Sequence, residues 1–421
     1  MANIKQNFGF TYFTSPKYMV KNSVKEWLSQ LKQLGASTLI VKADFDKAIP
    51  EDVFIVAQKN GLTPIVHFDN ELPLARKLND VIFLLNVYAK WGCSRVIFGD
   101  KPNNKTSWPT SGWHYENLVD HFLDRFIPLA SHAVKIGIDP VFPPLQPGGD
   151  YWDTAFLDLA LSGLKRRRLD ELLSKLTLSS YGYTFNRPLS WGKGGPERWS
   201  VSRPYQTPEG QEDQLGFHNF NWVQAISQRI LGDALPIMIL DAGNTGTSHS
   251  LSNPTTILQN AGMIYKGCFE NYEVDLDDDD EIGFDELVYT CTFDLETLDQ
   301  AQGSPLTANG LQVVFNPQNT VLGNSGSKMG EKKVISNYLL LPMYDSGISD
   351  VVMNKVRPII KQMHPTIGFS LKEAATAETV MVYPDSHIFS DEALNQLRAS
   401  GCVVKVLPDS GIEIATLSLN L

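Results

Sequence analysis

Long apolar runs are missing from this sequence, and so is any excess of positive charge. No stretch approaches the ~20 consecutive apolar residues that cross a bilayer. With 36 basic against 47 acidic residues, the formal net charge is −11. Such a chain offers no electrostatic footing to nucleic acid or to an anionic membrane surface, and neither is expected as a partner. Met1-Ala-Asn-Ile-Lys-Gln-Asn7 has no apolar h-region, so no secretory leader is expected at this start. Cysteine is scarce: Cys93, Cys268, Cys291 and Cys402 stand far apart, at no metal-ligand spacing. They read as free thiols in a reducing, cytoplasmic compartment. No second histidine lies at ligand spacing from His67, and neither a metal nor a cofactor is expected. The acidic run Asp275 to Glu281 lacks the glycine-broken spacing of a calcium loop and reads as a solvated loop. A glycine-rich phosphate turn is also absent, since Thr14-Ser-Pro16 follows the first apolar run.

What the chain does contain is a steady alternation of short apolar runs and helical patterns. The runs begin at Phe8, Ser37, Leu62, Arg95, Gly137, Leu176, Pro236 and Leu287. Between them, spacing predicts helices over Val20 to Leu34, after Pro50, and over Leu72 to Trp91, Trp113 to Lys135, Asp153 to Leu173 and Glu212 to Leu231. Short strands joined by helices pair in parallel and are buried on both faces. Eight such units predict a closed (β/α)8 TIM barrel over residues 1–320 rather than an open doubly wound sheet. A linker rich in Gly, Asn and Ser lies between Asn316 and Lys333. Beyond it, alternation resumes over 333–421, which predicts a small C-terminal α/β domain.

In such a barrel, residues just past the C-terminal ends of the strands face the site. The candidates in chain order are Tyr12, Lys42, Asp44, His67, Asp69, Glu71, Asp100, Lys101, Asn103, Asp150, Tyr151, Trp152 and Asp241. The sixth strand leads into a long loop carrying Tyr181, Tyr183, Phe185, Trp191 and Trp199 among glycines and prolines. Flat aromatic faces beside Asn186, Arg187, Lys193, Glu197 and Arg198 suit a sugar ring, which has apolar faces and polar edges. A self-packed loop with its own aromatic cluster is the plainer alternative. Carboxylates gathered at one rim suit glycosidic chemistry, in which one carboxyl protonates the leaving oxygen and a second attacks the sugar or activates water. Each could equally cap a helix or pair with a cation, as Asp153 could at the start of the helix it precedes.

The Tyr181-Gly-Tyr183 strand end, the Trp191-Gly-Lys-Gly-Gly-Pro196 loop and Leu240-Asp-Ala-Gly243 resemble the cellulase-related (β/α)8 glycoside hydrolases of the large retaining clan. Pro147-Gly-Gly-Asp-Tyr-Trp-Asp-Thr154 is similar to bacterial barrels placed near that clan. The resemblance spans about residues 8 to 300 and implies a carbohydrate partner. It implies a glutamate acid after strand four, where this chain has Asp100-Lys101-Pro102, and a glutamate nucleophile after strand seven, where it has Asp241. Two readings stay open. Either Glu71, Asp100, Asp150 or Glu197 supplies the acid with Asp241 as nucleophile or electrostatic stabiliser, or the barrel binds sugar without cleaving it. A third reading is an enzyme on a phosphorylated metabolite, with Gly243-Asn-Thr-Gly246 as the anion nest.

Overall fold

The computed structural model describes residues 7–45, 47–69, 78–109, 113, 116–203, 206–246, 254–268, 284, 286–302, 305–308, 310–315, 335–342, 350–363, 365–375, 377–384 and 389–408. The chain divides into two units, residues 1–324 and 325–421.

The first unit is a (β/α)8 barrel. Its strands are β1 (Phe8–Thr11), β2 (Thr38–Ala43), β3 (Thr63–Phe68), β4 (Arg95–Phe98), β5 (Asp139–Val141), β6 (Leu178–Tyr181), β7 (Ile237–Leu240) and β8 (Val288–Asp294). All pair in parallel, in the order β5-β4-β3-β2-β1-β8-β7-β6. The seam between β5 and β6 is closed by isolated bridges at Val141–Thr177 and Leu145–Ser180. Across it, Thr177 N donates to the Pro140 carbonyl (3.1 Å) and Phe142 N to the Thr177 carbonyl (2.8 Å). Ser179 Oγ adds a bond to the Phe142 carbonyl at 2.6 Å.

Side-chain parity sorts the strand residues into two layers. Ile40, Ile65, Ile97, Val141, Met238 and Leu240 fill the barrel interior together with Tyr181 and Tyr183. Their neighbours Leu39, Val41, Val66, Phe68, Val96 and Phe98 point outward to the helices. Each fully buried side chain of this kind contributes about 1.5–3 kcal/mol. Interior space is tight where β1 meets β2: a Cβ on Gly9 would sit 2.2 Å from the Thr38 carbonyl oxygen, so this position tolerates no side chain.

The described helices are α1 (Lys21–Gln33), α2 (Glu51–Lys59), α3 (Leu78–Lys90), α4 (Leu118–Lys135), α5 (Asp153–Arg166), α6 (Asp170–Lys175), α7 (Gly195–Arg198), α8 (Asn219–Leu231), α9 (Pro254–Gly267), α10 (Leu295–Gln302) and α11 (Leu311–Val314). In α1, Val24, Trp27, Leu28 and Leu31 are buried at helical spacing, and Gly35 at φ 87° follows its end. Glu51 and Asp52 in the first turn of α2 complement its dipole. Three predicted helices come out differently, the one expected from Trp113 beginning only at Leu118. The one expected from Asp153 to Leu173 breaks into α5 and α6, with Arg168 in the left-handed region at φ 54° between them. The one expected from Glu212 starts only at Asn219, because Asp213 and Gln214 are engaged with the aromatic loop and α5.

The second unit holds a four-stranded parallel sheet of order β10-β9-β11-β12, made of β9 (Ile335–Leu340), β10 (Thr366–Gly368), β11 (Ala377–Val382) and β12 (Val403–Val406). Its described helices are α12 (Asp350–Met363), α13 (Leu371–Ala374) and α14 (Asp391–Ala399). The run Tyr338-Leu-Leu-Leu341 alternates between two cores. Tyr338 and Leu340 pack with Ala374, Leu394 and Leu397, while Leu339 and Leu341 pack with Val352, Val356 and Ile359. Burial on both faces explains why these strands read as unbroken apolar runs.

Candidate active site at the strand ends

Inward parity at the C-terminal ends of β2, β3, β6 and β8 brings together Lys42, His67, Asp69, Tyr181, Tyr183 and Asp294, and the turns after β4 and β7 add Asp100, Lys101 and Asp241. The Lys42 ammonium lies 3.4 Å from Asp294 Oδ2. Burial works against its charge, but Asp294, Asp69, Asp241 and Glu296 together hold it well above the ordinary lysine value. His67 Nε2 is 3.1 Å from the Gly99 carbonyl oxygen, an acceptor, which places a proton on Nε2. Burial pushes this imidazole below its ordinary value, against the pull of Asp100 and Asp69. The Asp69 carboxyl is raised, mainly by burial and further by Asp100, with His67 and Lys42 acting against the shift.

Asp241 follows β7 directly and adopts φ 50°, a left-handed conformation uncommon outside glycine. Asn244 Nδ2 donates to its Oδ2 at 2.7 Å. Its pKa is pushed up to about 7, chiefly by burial and then by the Asp294 charge, while Asn244, Lys42 and Thr297 work the other way. Asp294 ends β8 and caps α10, accepting the N–H groups of Glu296 (2.8 Å) and Thr297 (3.1 Å). Glu296 in turn receives Thr14 N at 2.8 Å, tying the ends of β8 and β1.

An aromatic wall stands beside these carboxyls. Tyr181 and Tyr183 stack with centroids 4.4 Å apart and planes 13° apart. The Tyr181 hydroxyl donates a short hydrogen bond to Asp100 Oδ1. Both phenols are raised well above the ordinary value, first by burial and then by carboxylates: Asp100 for Tyr181, Asp241 for Tyr183. Lys101, itself at φ 47°, holds its ammonium 4.7 Å from the Tyr181 centroid, 5.7 Å from that of Tyr183 and 4.0 Å from Asp100 Oδ2.

Other predicted site residues lie elsewhere. Tyr12 shares the outward parity of Phe8 and Phe10 and donates to the Tyr18 carbonyl at 3.0 Å, within the layer between sheet and helices. Asn103 is fully buried, and its amide joins the loop after β4 to the loop after β5, donating to Gln146 O (2.8 Å) and Tyr151 O (2.9 Å) and accepting from Gln146 N (2.8 Å). Asp150 is exposed and accepts Lys105 N at 2.9 Å, with the Lys105 ammonium at 3.6 Å. Tyr151 packs edge-on against Phe156. Asp44 is exposed. Glu71 lies outside the described residues.

The aromatic loop is stitched largely to itself. Asp213 accepts from Arg187 and from Trp191 Nε1 (3.0 Å), Thr207 Oγ1 (2.5 Å) and Leu215 N (3.0 Å). Burial alone would raise this carboxyl, but these donors and the Arg187 charge bring it below the ordinary range. Trp199 Nε1 donates to the Lys193 carbonyl at 2.9 Å. Each indole has an arginine of the same loop over it, Arg187 at 4.2 Å from Trp191 and Arg198 at 5.0 Å from Trp199. In the turn after β7, Gly243 N goes to Gly182 O, Asn244 N to Asp241 O and Gly246 N to Asn244 Oδ1.

A cavity of ≈ 750 Å³ lies between α5, α7 and α8, lined by Trp152, Gln214, Asn221, Trp222, Gln228 and Arg229. Asp241, with its pKa pushed up to about 7, and Asp69, raised by burial, lie instead at the strand ends. Asp294 and Glu296 are not among the sequence candidates because the apolar run that begins at Leu287 ends at Phe293. The signal was available in Asp294-Leu-Glu-Thr297, a helix-capping pattern directly after an apolar strand.

No family model matches the chain, and neither does any curated protein. Solved structures similar to it are mostly glycoside hydrolases. They include the endo-1,4-beta-mannanase from Rhizomucor miehei (9% identity over 75% of this chain and 94% of that one, TM-score 0.42). A hyperthermostable endocellulase shares 14% identity over 74% and 93%, with a TM-score of 0.40. Fructose-bisphosphate aldolase from Plasmodium falciparum shares 10% over 77% and 94%, with a TM-score of 0.35. Likenesses at this level carry no argument about a reaction.

Proposed function

We propose that the protein is a glycoside hydrolase-like enzyme whose carboxyl pair is Asp241 and Asp294. The observation that carries this reading is the placement of an Asp241 carboxyl with a pKa of about 7 within the field of Asp294. A carboxyl held protonated near neutral pH beside a second carboxyl can act as the acid of such a pair. Sequence position suggested Asp241 as nucleophile or stabiliser; its burial suits the proton donor to the leaving oxygen better. Asp294, fixed by two backbone N–H groups and the Lys42 ammonium, then serves as nucleophile or as base toward water. The stacked and largely buried Tyr181 and Tyr183 form the apolar floor beneath these groups.

The test is turnover of aryl glycosides by wild type, Asp241→Asn and Asp294→Asn, each checked for binding of the same glycoside. Loss of at least about a thousandfold in turnover with binding retained supports the pair. Unchanged turnover in either variant removes that residue from the chemistry, and binding without turnover in the wild type leaves a carbohydrate-binding barrel.

A further inference from the structure

Resting on that reading, we infer that Lys101 is a specificity-determining residue whose ammonium marks a cation subsite, so that the sugar accepted at the mouth carries an amine. The lysine is held in an unusual way. Its backbone takes φ 47°, a left-handed conformation that residues other than glycine rarely adopt. The side chain then lays its ammonium over two stacked phenol rings, 4.7 and 5.7 Å from their centroids. Its distance to Asp100 Oδ2 is 4.0 Å, at the outer limit of an ion pair. Asp100 Oδ1 meanwhile receives the Tyr181 hydroxyl. Carboxylate edge and aromatic face thus converge on one point, the geometry that recognises an ammonium group.

The charge around that point agrees. Asp69, Asp100, Asp241 and Asp294 face Lys42 and Lys101, and burial lowers the His67 imidazole below its ordinary value. Lys42 stands at Asp294, 3.4 Å away, on the other side of the cluster. A substrate ammonium arriving at Asp100 displaces the Lys101 ammonium from the tyrosine faces and takes over its contact with Asp100. A substrate carboxylate meets those carboxyls at close range and is rejected. No covalent step is implied, and the residue acts by occupying the subsite until an amine replaces it.

The experiment is titration calorimetry of the full chain with four trisaccharides of one linkage: glucosamine, N-acetylglucosamine, glucose and glucuronate. Measurements are made below the pKa of the amine. Glucosamine is expected to bind about tenfold more tightly than glucose, and glucuronate most weakly. In Lys101→Met the competitor is gone, and glucosamine affinity rises several-fold while glucose affinity changes little. Lys101→Gln repeats the comparison should the methionine variant fold poorly. Tightest binding by glucuronate or N-acetylglucosamine, or weaker glucosamine binding in both variants, overturns the inference. Glucose oligomers bound and hydrolysed as well as glucosamine oligomers would sink the inference and leave the proposed hydrolase standing. No binding by any of the four sinks both.

Discussion

Replacing Asp241 with asparagine removes a carboxyl whose folded pKa is about 7 against an ordinary 3.8. At about 1.4 kcal/mol per pH unit, that difference corresponds to about 4 kcal/mol between the two protonation states. The sign follows from proton binding. Below pH 3.8 the carboxyl is protonated in both folded and unfolded chains, and it contributes no difference. Between the two values the folded chain keeps a proton that the unfolded chain releases, so stability falls as pH rises and the full cost is reached above about pH 7. Asparagine carries no such penalty and can still accept the Asn244 Nδ2 hydrogen bond through its amide oxygen. The pKa of about 7 already includes the attraction of Lys42, so the expected gain is about 4 kcal/mol at pH 8 and little near pH 4. Urea unfolding of both proteins at the two pH values measures it, and the quantity of interest is the difference of differences. Equal stability offsets at pH 4 and pH 8, or a destabilised variant at pH 8, would refute the reasoning. The variant is expected to be sturdier and inactive together, the usual relation where a site holds a carboxyl against its preference.

Two further outcomes follow from the same geometry. Because the acid must be protonated, kcat/KM on glycosides with poor leaving groups should fall about tenfold per pH unit above pH ~7; a profile flat to pH 9 rules out Asp241 as the acid. Asp213→Ala leaves Arg187 half-buried beside an empty position and frees Trp191 Nε1, at an expected cost of about 3–5 kcal/mol. Limited proteolysis should then cut within residues 187–213 well before the barrel strands, and unchanged resistance there would show that Asp213 does not hold the loop.

The barrel was legible because its strands are short apolar runs between helical patterns, and the strand starts deviate by only a few residues. Parity explains much of what else could be read. His67, Asp69 and Tyr181 share the inward register of Ile65 and Ser179, whereas Tyr12 belongs with Phe8 and Phe10 outside, a distinction that counting by twos along β1 would have supplied. Asp294 was hidden by ending a strand one residue early. The aromatic loop misled for a different reason: composition tells that Trp191 and Trp199 are there, but not that Arg187 and Arg198 lie over their rings. Whether an indole meets a sugar or a neighbouring guanidinium depends on tertiary contacts that no local pattern encodes. The same holds for Asn103, whose amide is used up between two loops 43 residues apart in sequence.

The hydrogen bond from Tyr181 to Asp100 joins β6 to the turn after β4 and so passes over the β5–β6 seam. That seam is the one place where the eight-stranded ladder is replaced by isolated bridges. The phenol and the carboxylate therefore act as a clasp on the barrel as well as a wall of its mouth. A ligand that takes either group for itself loosens the clasp, and a seam that opens pulls the two apart. The Asp100 oxygen therefore serves the mouth and the seam at once.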